Sequence, residues 1–262
     1  MVSFDSQEQP QYLRDYLAAA AGSTGVRNIR AAGLARWEVP WTGRLLDAGC
    51  GNGEVARELA GLMPDAEVTA VDFSADAIAE ATRGHDGSRV KYEVGDLLDL
   101  PYEDGAFDGV RTERVVQHVA DADRAIAELT RVLRPGGRMC MIDTDWDSLL
   151  VDGSPEGFND RARTLVNVLN ASRPPHSMAS GRALRRRMHQ AGLTDLRAEP
   201  FAGVHTDLDQ ARQVLPLYRD SPMTAAIGPA FDDLMDDVEA AAADGTFLLT
   251  LTMWVVVGTR AR

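Results

Sequence analysis

Three glycines on alternate positions, Gly49, Gly51 and Gly53, follow the apolar run Leu45-Leu46-Asp47-Ala48 and precede the helix-like stretch Glu54-Val55-Ala56. Glycine permits positive φ and lets a ligand approach the main chain closely, and a helix starting just beyond presents free N–H groups to an anionic group. The spacing predicts a strand, a tight loop and a helix that together cradle a nucleotide-like cofactor. Two further acidic residues suit such a cofactor. Asp72 lies nineteen positions after Gly53, at the end of a second apolar run, where a carboxylate can accept both hydroxyl protons of a ribose. Gly95-Asp96-Leu97 follows a third run, so that Asp96 can accept from the exocyclic amine of an adenine while Leu97 packs on its ring.

The glycine loop alone is ambiguous, because Gly51 to Ala56 also satisfies the relaxed G-x-G-x-x-A dinucleotide pattern. If that pattern started at Gly49, its third glycine would be Glu54, whose long side chain would obstruct the contact between helix and strand. Asp47 has no role in the dinucleotide pattern, whereas a cofactor bearing a free amino group would use it. Cys50 reads as a small loop filler rather than a nucleophile, since no neighbour in the sequence would lower its pKa.

The elements that must position these residues alternate. Strands are expected over 44–48, 67–72, 90–94, 107–112 and 137–143, with helices over 54–62, 75–83 and 122–133. Strand and helix in turn, joined by short loops, make a doubly wound α/β fold with a mostly parallel sheet covered on both faces. Later come a helix over 158–169, a strand over 193–201, an acidic helical stretch over 209–244 broken by Pro216, Pro222 and Pro229, and a buried strand over 247–258. Residues 8–38 look helical and precede the sheet. The expected organisation is an N-terminal helical cap over 1–40, a cofactor-binding domain over 41–208 and 246–262, and a helical lid over 209–245. Arg185, Arg186 and Arg187 read as the solvated face of a helix whose Leu184 and Met188 are buried.

Composition narrows the partners. A formal charge of −13, from 40 acidic against 27 basic residues, disfavours a nucleic-acid backbone and suits a small-molecule substrate. No stretch approaches the roughly 20 apolar residues of a membrane span. The opening Met-Val-Ser-Phe-Asp-Ser-Gln-Glu has neither a basic nor an apolar signal region, and the expected location is cytoplasmic. No HExxH, CxxC or histidine pair at ligand spacing points to a metal.

With these pieces in order, the chain resembles the class I S-adenosylmethionine-dependent methyltransferases, in the subgroup similar to ubiquinone and menaquinone biosynthesis methyltransferases. The resemblance rests on Leu-Leu-Asp-Ala-Gly-Cys-Gly-Asn-Gly, Val-Thr-Ala-Val-Asp-Phe-Ser, Gly-Asp-Leu-Leu-Asp-Leu-Pro-Tyr-Glu-Asp-Gly-Ala-Phe-Asp, Glu-Arg-Val-Val-Gln-His-Val and Leu-Arg-Pro-Gly-Gly-Arg, over roughly residues 40 to 145. It implies a seven-stranded sheet, with S-adenosylmethionine as cofactor and S-adenosylhomocysteine as its product. By resemblance, Gly49, Cys50, Gly51, Asn52 and Gly53 underlie the methionine part and Asp47 reads its amino group. Asp72 holds the ribose, Phe73 flanks the adenine, and Asp96 with Leu97 reads the amino edge. Thr112 and Glu113 pass beside the methionine and the transferred methyl, although Glu113 is larger and more acidic than the small polar residue expected there. An N-terminal helix closes over the cofactor in this family, which makes Tyr12 and Tyr16 pocket candidates.

Methyl transfer from a sulfonium is an in-line displacement, so positioning dominates, supplying roughly 7–11 kcal/mol in well-oriented systems. A base is needed only if the acceptor must lose a proton. His118, just after the fourth strand, is the candidate base, and Gln117 beside it is placed to orient the acceptor. The run Asp143-Thr144-Asp145-Trp146-Asp147 is expected to follow the fifth strand, either as a face for a divalent cation or an amine, or as a solvated turn. Trp146 is a candidate for paving the acceptor pocket, with Arg173 and His176 as further pocket candidates. The acceptor is expected to be a small molecule, methylated on oxygen in preference to nitrogen or carbon. The alternatives are a family member catalysing a cyclisation or rearrangement without transfer, a non-catalytic binding protein, and an NAD-dependent oxidoreductase.

Overall fold

In the computed structural model, which describes residues 22–39, 42–84, 87, 89–154, 158–171, 175–215, 217–219, 228 and 230–262, the strands join in one seven-stranded sheet. The first half of the chain runs through α1 (Thr24–Trp37), β1 (Arg44–Ala48), α2 (Glu54–Leu62), β2 (Glu67–Asp72), α3 (Ala75–Arg83), β3 (Val90–Val94), β4 (Phe107–Glu113), α4 (Ala122–Val132) and β5 (Leu133–Asp152). There follow α5 (Phe158–Ala171), a 3-10 turn at Pro175–Ser177, α6 (Ser180–Gln190), β6 (Leu193–His205), α7 (Leu208–Val214), α8 (Ala230–Asp244) and β7 (Leu248–Arg260). Strand order is β3-β2-β1-β4-β5-β7-β6, with β1 to β5 parallel and β7 antiparallel to both neighbours. The chain leaves β1 first toward β2 and β3, then returns to the other side for β4 and β5. That reversal opens a crevice at the carboxyl ends of β1 and β4, where ligands of doubly wound folds bind.

Local chemistry fixes the helix starts. Ser74 Oγ accepts from Ala77 N at 3.2 Å to cap α3, and Asp121 Oδ1 accepts from Arg124 N at 3.0 Å to cap α4. Ala125, Ile126 and Leu129 form the buried stripe of α4 against one sheet face, which α6 also covers through Leu184 and Met188. On the other face α1, α2 and α3 pack over Leu45, Val68 and Ala70. A third cluster joins Trp146 and Leu149 of β5 to Phe158, Phe231, Leu234 and Leu249, so the late helices have their own core on the overhanging ends of β5 and β7. Among the described residues no helix is long and apolar enough to cross a membrane.

Two expectations are corrected by packing. The run from Asp143 to Asp147 does not follow β5; it lies inside it, because pairing with β7 continues through Asp143↔Trp254 and Asp145↔Thr252. Asp143 is buried and accepts from Gln117 N, Thr144 N and Ser180 Oγ, each at 2.9 Å, while Asp145 pairs with Arg182 at 2.6 Å and Asp147 pairs with the same guanidinium. The run is therefore neither a solvated turn nor a cation face, and no group of three metal-ligating side chains occurs among the described residues. In α6, Arg185 and Arg186 are exposed, but Arg187 is buried and pairs with Asp123 at 3.2 Å.

Candidate active site

A cavity of about 400 Å³ occupies the crevice. Its floor is the loop between β1 and α2. Gly49 N and Cys50 N donate to Val71 O at 2.7 and 3.0 Å, tying the loop to β2. Gly49 has φ +78°, and a Cβ there would lie 2.3 Å from Val115 Cγ2, whereas Gly51, at φ +53°, faces open space. Gly49→Ala is expected to lose roughly 2–5 kcal/mol of stability, combining left-handed strain with overpacking. Gly51→Ala carries only the strain, roughly 1–2 kcal/mol. Urea unfolding of both variants checks this, and equal losses would contradict the account of the loop.

Asp72 accepts from Gly51 N at 2.8 Å on one oxygen and from Ser74 N at 2.9 Å on the other. Burial raises its pKa against those two hydrogen bonds, and each oxygen keeps a lone pair for a ligand. Phe73 lines the cavity and is exposed, and Asp96 is exposed with Oδ1 accepting from Leu98 N at 2.8 Å. Leu97 is buried and also lines the cavity. His118 also lines the cavity, with its backbone N donating to Val115 O at 2.8 Å.

Beside the glycine loop, where β1 and β4 end, runs a buried ion network. Arg111 Nη1 meets Asp47 Oδ1 at 3.3 Å and Arg111 Nη2 meets Glu113 Oε2 at 2.7 Å. Arg30 of α1 grips Glu113 with two bonds of 3.0 Å and reaches Glu54 at 3.3 Å and Glu58 at 3.2 Å. Both guanidiniums are 1% exposed. Glu113 therefore stays ionised: burial opposes its charge, but Arg111 and Arg30 outweigh burial and hold its pKa below the usual range. Asp47 differs. Burial outweighs Arg111 and pushes its pKa up to about 6, and its Oδ2 is a buried acceptor without a partner. Four carboxylates thus surround two arginines, and the orphan acceptor suits an added cation such as an ammonium group.

Residues 46–141 match the methyltransferase domain family. An uncharacterized 37.1 kDa protein of transposon TN4556 from Streptomyces fradiae is 35% identical over 248 residues, 92% of this chain and 70% of that protein. The chain belongs to the class I S-adenosylmethionine-dependent methyltransferases, with relatives among the ubiquinone and menaquinone enzymes. The 27-O-demethylrifamycin SV methyltransferase of Amycolatopsis mediterranei is 37% identical over 129 residues, 48% of this chain and 45% of that enzyme. The chain thus aligns with about half the length of the named methyltransferases. A solved phosphoethanolamine N-methyltransferase 2 of Haemonchus contortus, in complex with phosphomonomethylethanolamine and S-adenosylhomocysteine, superposes with a TM-score of 0.61 at 22% identity. That match covers 100% of this chain and 61% of the other, and shows the shared fold.

In this methyltransferase the other expected site residues fall in different places. Trp146 lines a second, smaller cavity of about 60 Å³ beside the first. Gln117, expected to orient an acceptor, lines neither cavity. It is buried, donates from Nε2 to Arg114 O at 3.3 Å, and accepts from Trp146 Nε1 at 2.5 Å. Thr112 is likewise buried outside both cavities, because alternation along β4 sends Arg111 and Glu113 to the cavity face instead. His176 sits half-buried in the 3-10 turn and lines neither cavity. Arg173, Tyr12 and Tyr16 lie outside the described residues. Cys50 is buried with its thiol pKa raised well above normal by desolvation, as a filler would be. Sequence reasoning missed Arg30, Arg111 and Arg114. Arg111 had a signal, since it shares a strand face with Glu113 two positions on.

Proposed function

We propose that this chain transfers a methyl group from S-adenosylmethionine to a small-molecule acceptor, on oxygen in preference to nitrogen or carbon. The observation that supports the cofactor assignment is that Asp47, the glycine loop, Asp72 and Asp96 line one cavity at the carboxyl ends of β1, β2 and β3. Asp47 Oδ2 accepts from the ammonium group, and the open face of Gly51 lets the chain of the cofactor lie on the backbone. Asp72 accepts from the ribose hydroxyls, Asp96 takes the adenine amino edge, and Leu97 and Phe73 cover the ring. Glu113 braces Arg30 and Arg111 below the methyl end. When bound, S-adenosylmethionine supplies an electrophilic methyl on a sulfonium. His118, which lines the same cavity, takes the proton of an acceptor hydroxyl where one must leave. Helix α1, held over the site by Arg30, serves as cap, and the described part of 209–245 as lid. The preference for oxygen is supported by the Amycolatopsis relative, whose name describes an O-demethylated substrate.

The test is a mass-spectrometric screen of metabolite extracts incubated with the protein and S-adenosylmethionine. The expected result is one compound heavier by a methylene, formed in step with S-adenosylhomocysteine. Product isomeric with its substrate, with the cofactor unconsumed, would favour the rearrangement alternative and contradict methyl transfer.

A further inference from the structure

We propose that the second cavity receives the reacting end of the acceptor, and that Arg114 selects acceptors presenting an anionic oxygen such as a phenolate, enolate or carboxylate. This rests on the reading that the first cavity holds S-adenosylmethionine.

Among the described residues Arg114 alone lines both cavities, which places it at their junction, where donor and acceptor must meet. Its backbone has φ +59° and is pinned by donation from its N to Ile142 O at 2.8 Å. The half-buried guanidinium makes no hydrogen bond or ion pair with the described residues. Every other buried or half-buried arginine among them has at least one, including Arg57 with Asn52 O and Arg260 with Arg131 O. Asp143 attracts Arg114 electrostatically, but its carboxylate is already engaged by Gln117, Thr144 and Ser180. An arginine in this setting lacks the bidentate oxygen partner that its geometry favours.

The second cavity is suited to supply that partner. Its described lining contains no carboxylate; Val26, Ile29, Leu251 and Met253 make apolar walls, Trp146 adds a ring, and His205 supplies the other ionisable group. The Nδ1 atom of His205 is buried without a partner, and burial lowers its pKa, keeping the imidazole neutral and ready to hydrogen-bond a second polar group. A protonated amine would face Arg114 with no carboxylate in the described lining to receive it, so the site discriminates against amines by repulsion as well as for anions by attraction. A volume of about 60 Å³ takes a carboxylate or hydroxyl-bearing end, not a whole metabolite. In the step itself an oxygen lone pair forms the C–O bond to the methyl carbon, and the C–S bond breaks with its pair going to sulfur. The two opposite charges cancel, the acceptor's proton having left to solvent or to His118 beforehand. Arg114 serves as a binding group.

Benzoate and its neutral isostere benzamide, titrated in the presence of saturating S-adenosylhomocysteine, test this by calorimetry and by Trp146 fluorescence. Benzoate is expected to bind about tenfold more tightly than benzamide. Arg114→Gln should erase that preference, Arg114→Lys should keep part of it, and Trp146→Phe should remove the fluorescence change but not the heat. Val214→Trp, which fills the cavity from α7, should abolish binding of both probes and provides the check if Arg114→Gln does not fold. Equal affinities in the wild-type protein, no binding of either probe, or an anion preference that survives Arg114→Gln or Val214→Trp would overturn the proposal. Failure of the wild-type protein to bind S-adenosylhomocysteine would overturn the cofactor reading instead.

Discussion

Arg111→Met is expected to destabilise the protein by about 3–5 kcal/mol, because it leaves Asp47 and Glu113 buried with one arginine fewer. Arg111 contacts both carboxylates, at 3.3 and 2.7 Å, from a position 1% exposed. Removing it exposes no new water to the site, so neither carboxylate regains the solvation it gave up on folding. The double variant Arg111→Met/Glu113→Gln should recover part of the loss, since Glu113 then carries no charge, although Arg30 loses its closest partner. Urea unfolding at neutral pH measures both. A loss below about 1 kcal/mol for the single variant would place the network on a par with surface ion pairs and contradict its structural role.

Cofactor affinity is expected to fall with acidification below about pH 6, approaching tenfold per pH unit, through Asp47. The sign follows from burial. The folded protein without ligand holds the Asp47 proton more tightly than an unfolded chain does, so this group favours folding most below the ordinary carboxylate range, and that contribution is lost as pH rises through about 6. An ammonium group beside Oδ2 favours the ionised carboxylate, so binding expels the proton and weakens where the proton is abundant. Calorimetry with S-adenosylhomocysteine between pH 5 and pH 8 should show the decline. Asp47→Asn should bind more weakly at neutral pH and show a flatter profile; an Asp47→Asn profile identical to that of the wild-type protein would remove Asp47 from the amino-group role.

The sheet was legible because its strands are short apolar runs ending in glycine or aspartate turns, and that punctuation survives without tertiary information. The length of β5 was not legible. Its second half carries aspartates at alternate positions, which read as a polar loop until Arg182 pairs with two of them and the ladder with β7 continues through them. The cavity residues at or just beyond strand ends, Asp47, Asp72, Asp96 and His118, follow from spacing along the chain alone. Arg30 does not, because a single arginine in an amphipathic helix looks solvated and becomes buried only when Glu113 is brought beneath it. Gln117 escapes for a related reason: its side chain donates to Arg114 O only three residues back but accepts from Trp146, a pairing between segments about thirty residues apart that no local pattern records. Arg114 adopts its left-handed conformation through tertiary contacts, since nothing about arginine itself favours it.

Binding of S-adenosylhomocysteine and of NAD to the wild-type protein and to Asp72→Ala, measured side by side by calorimetry, tests the central claim most directly. The account predicts that S-adenosylhomocysteine binds far more tightly than NAD, and that Asp72→Ala weakens it by about 1–3 kcal/mol with the fold intact. Tighter binding of NAD, or an unchanged affinity for S-adenosylhomocysteine in the folded Asp72→Ala variant, would contradict it.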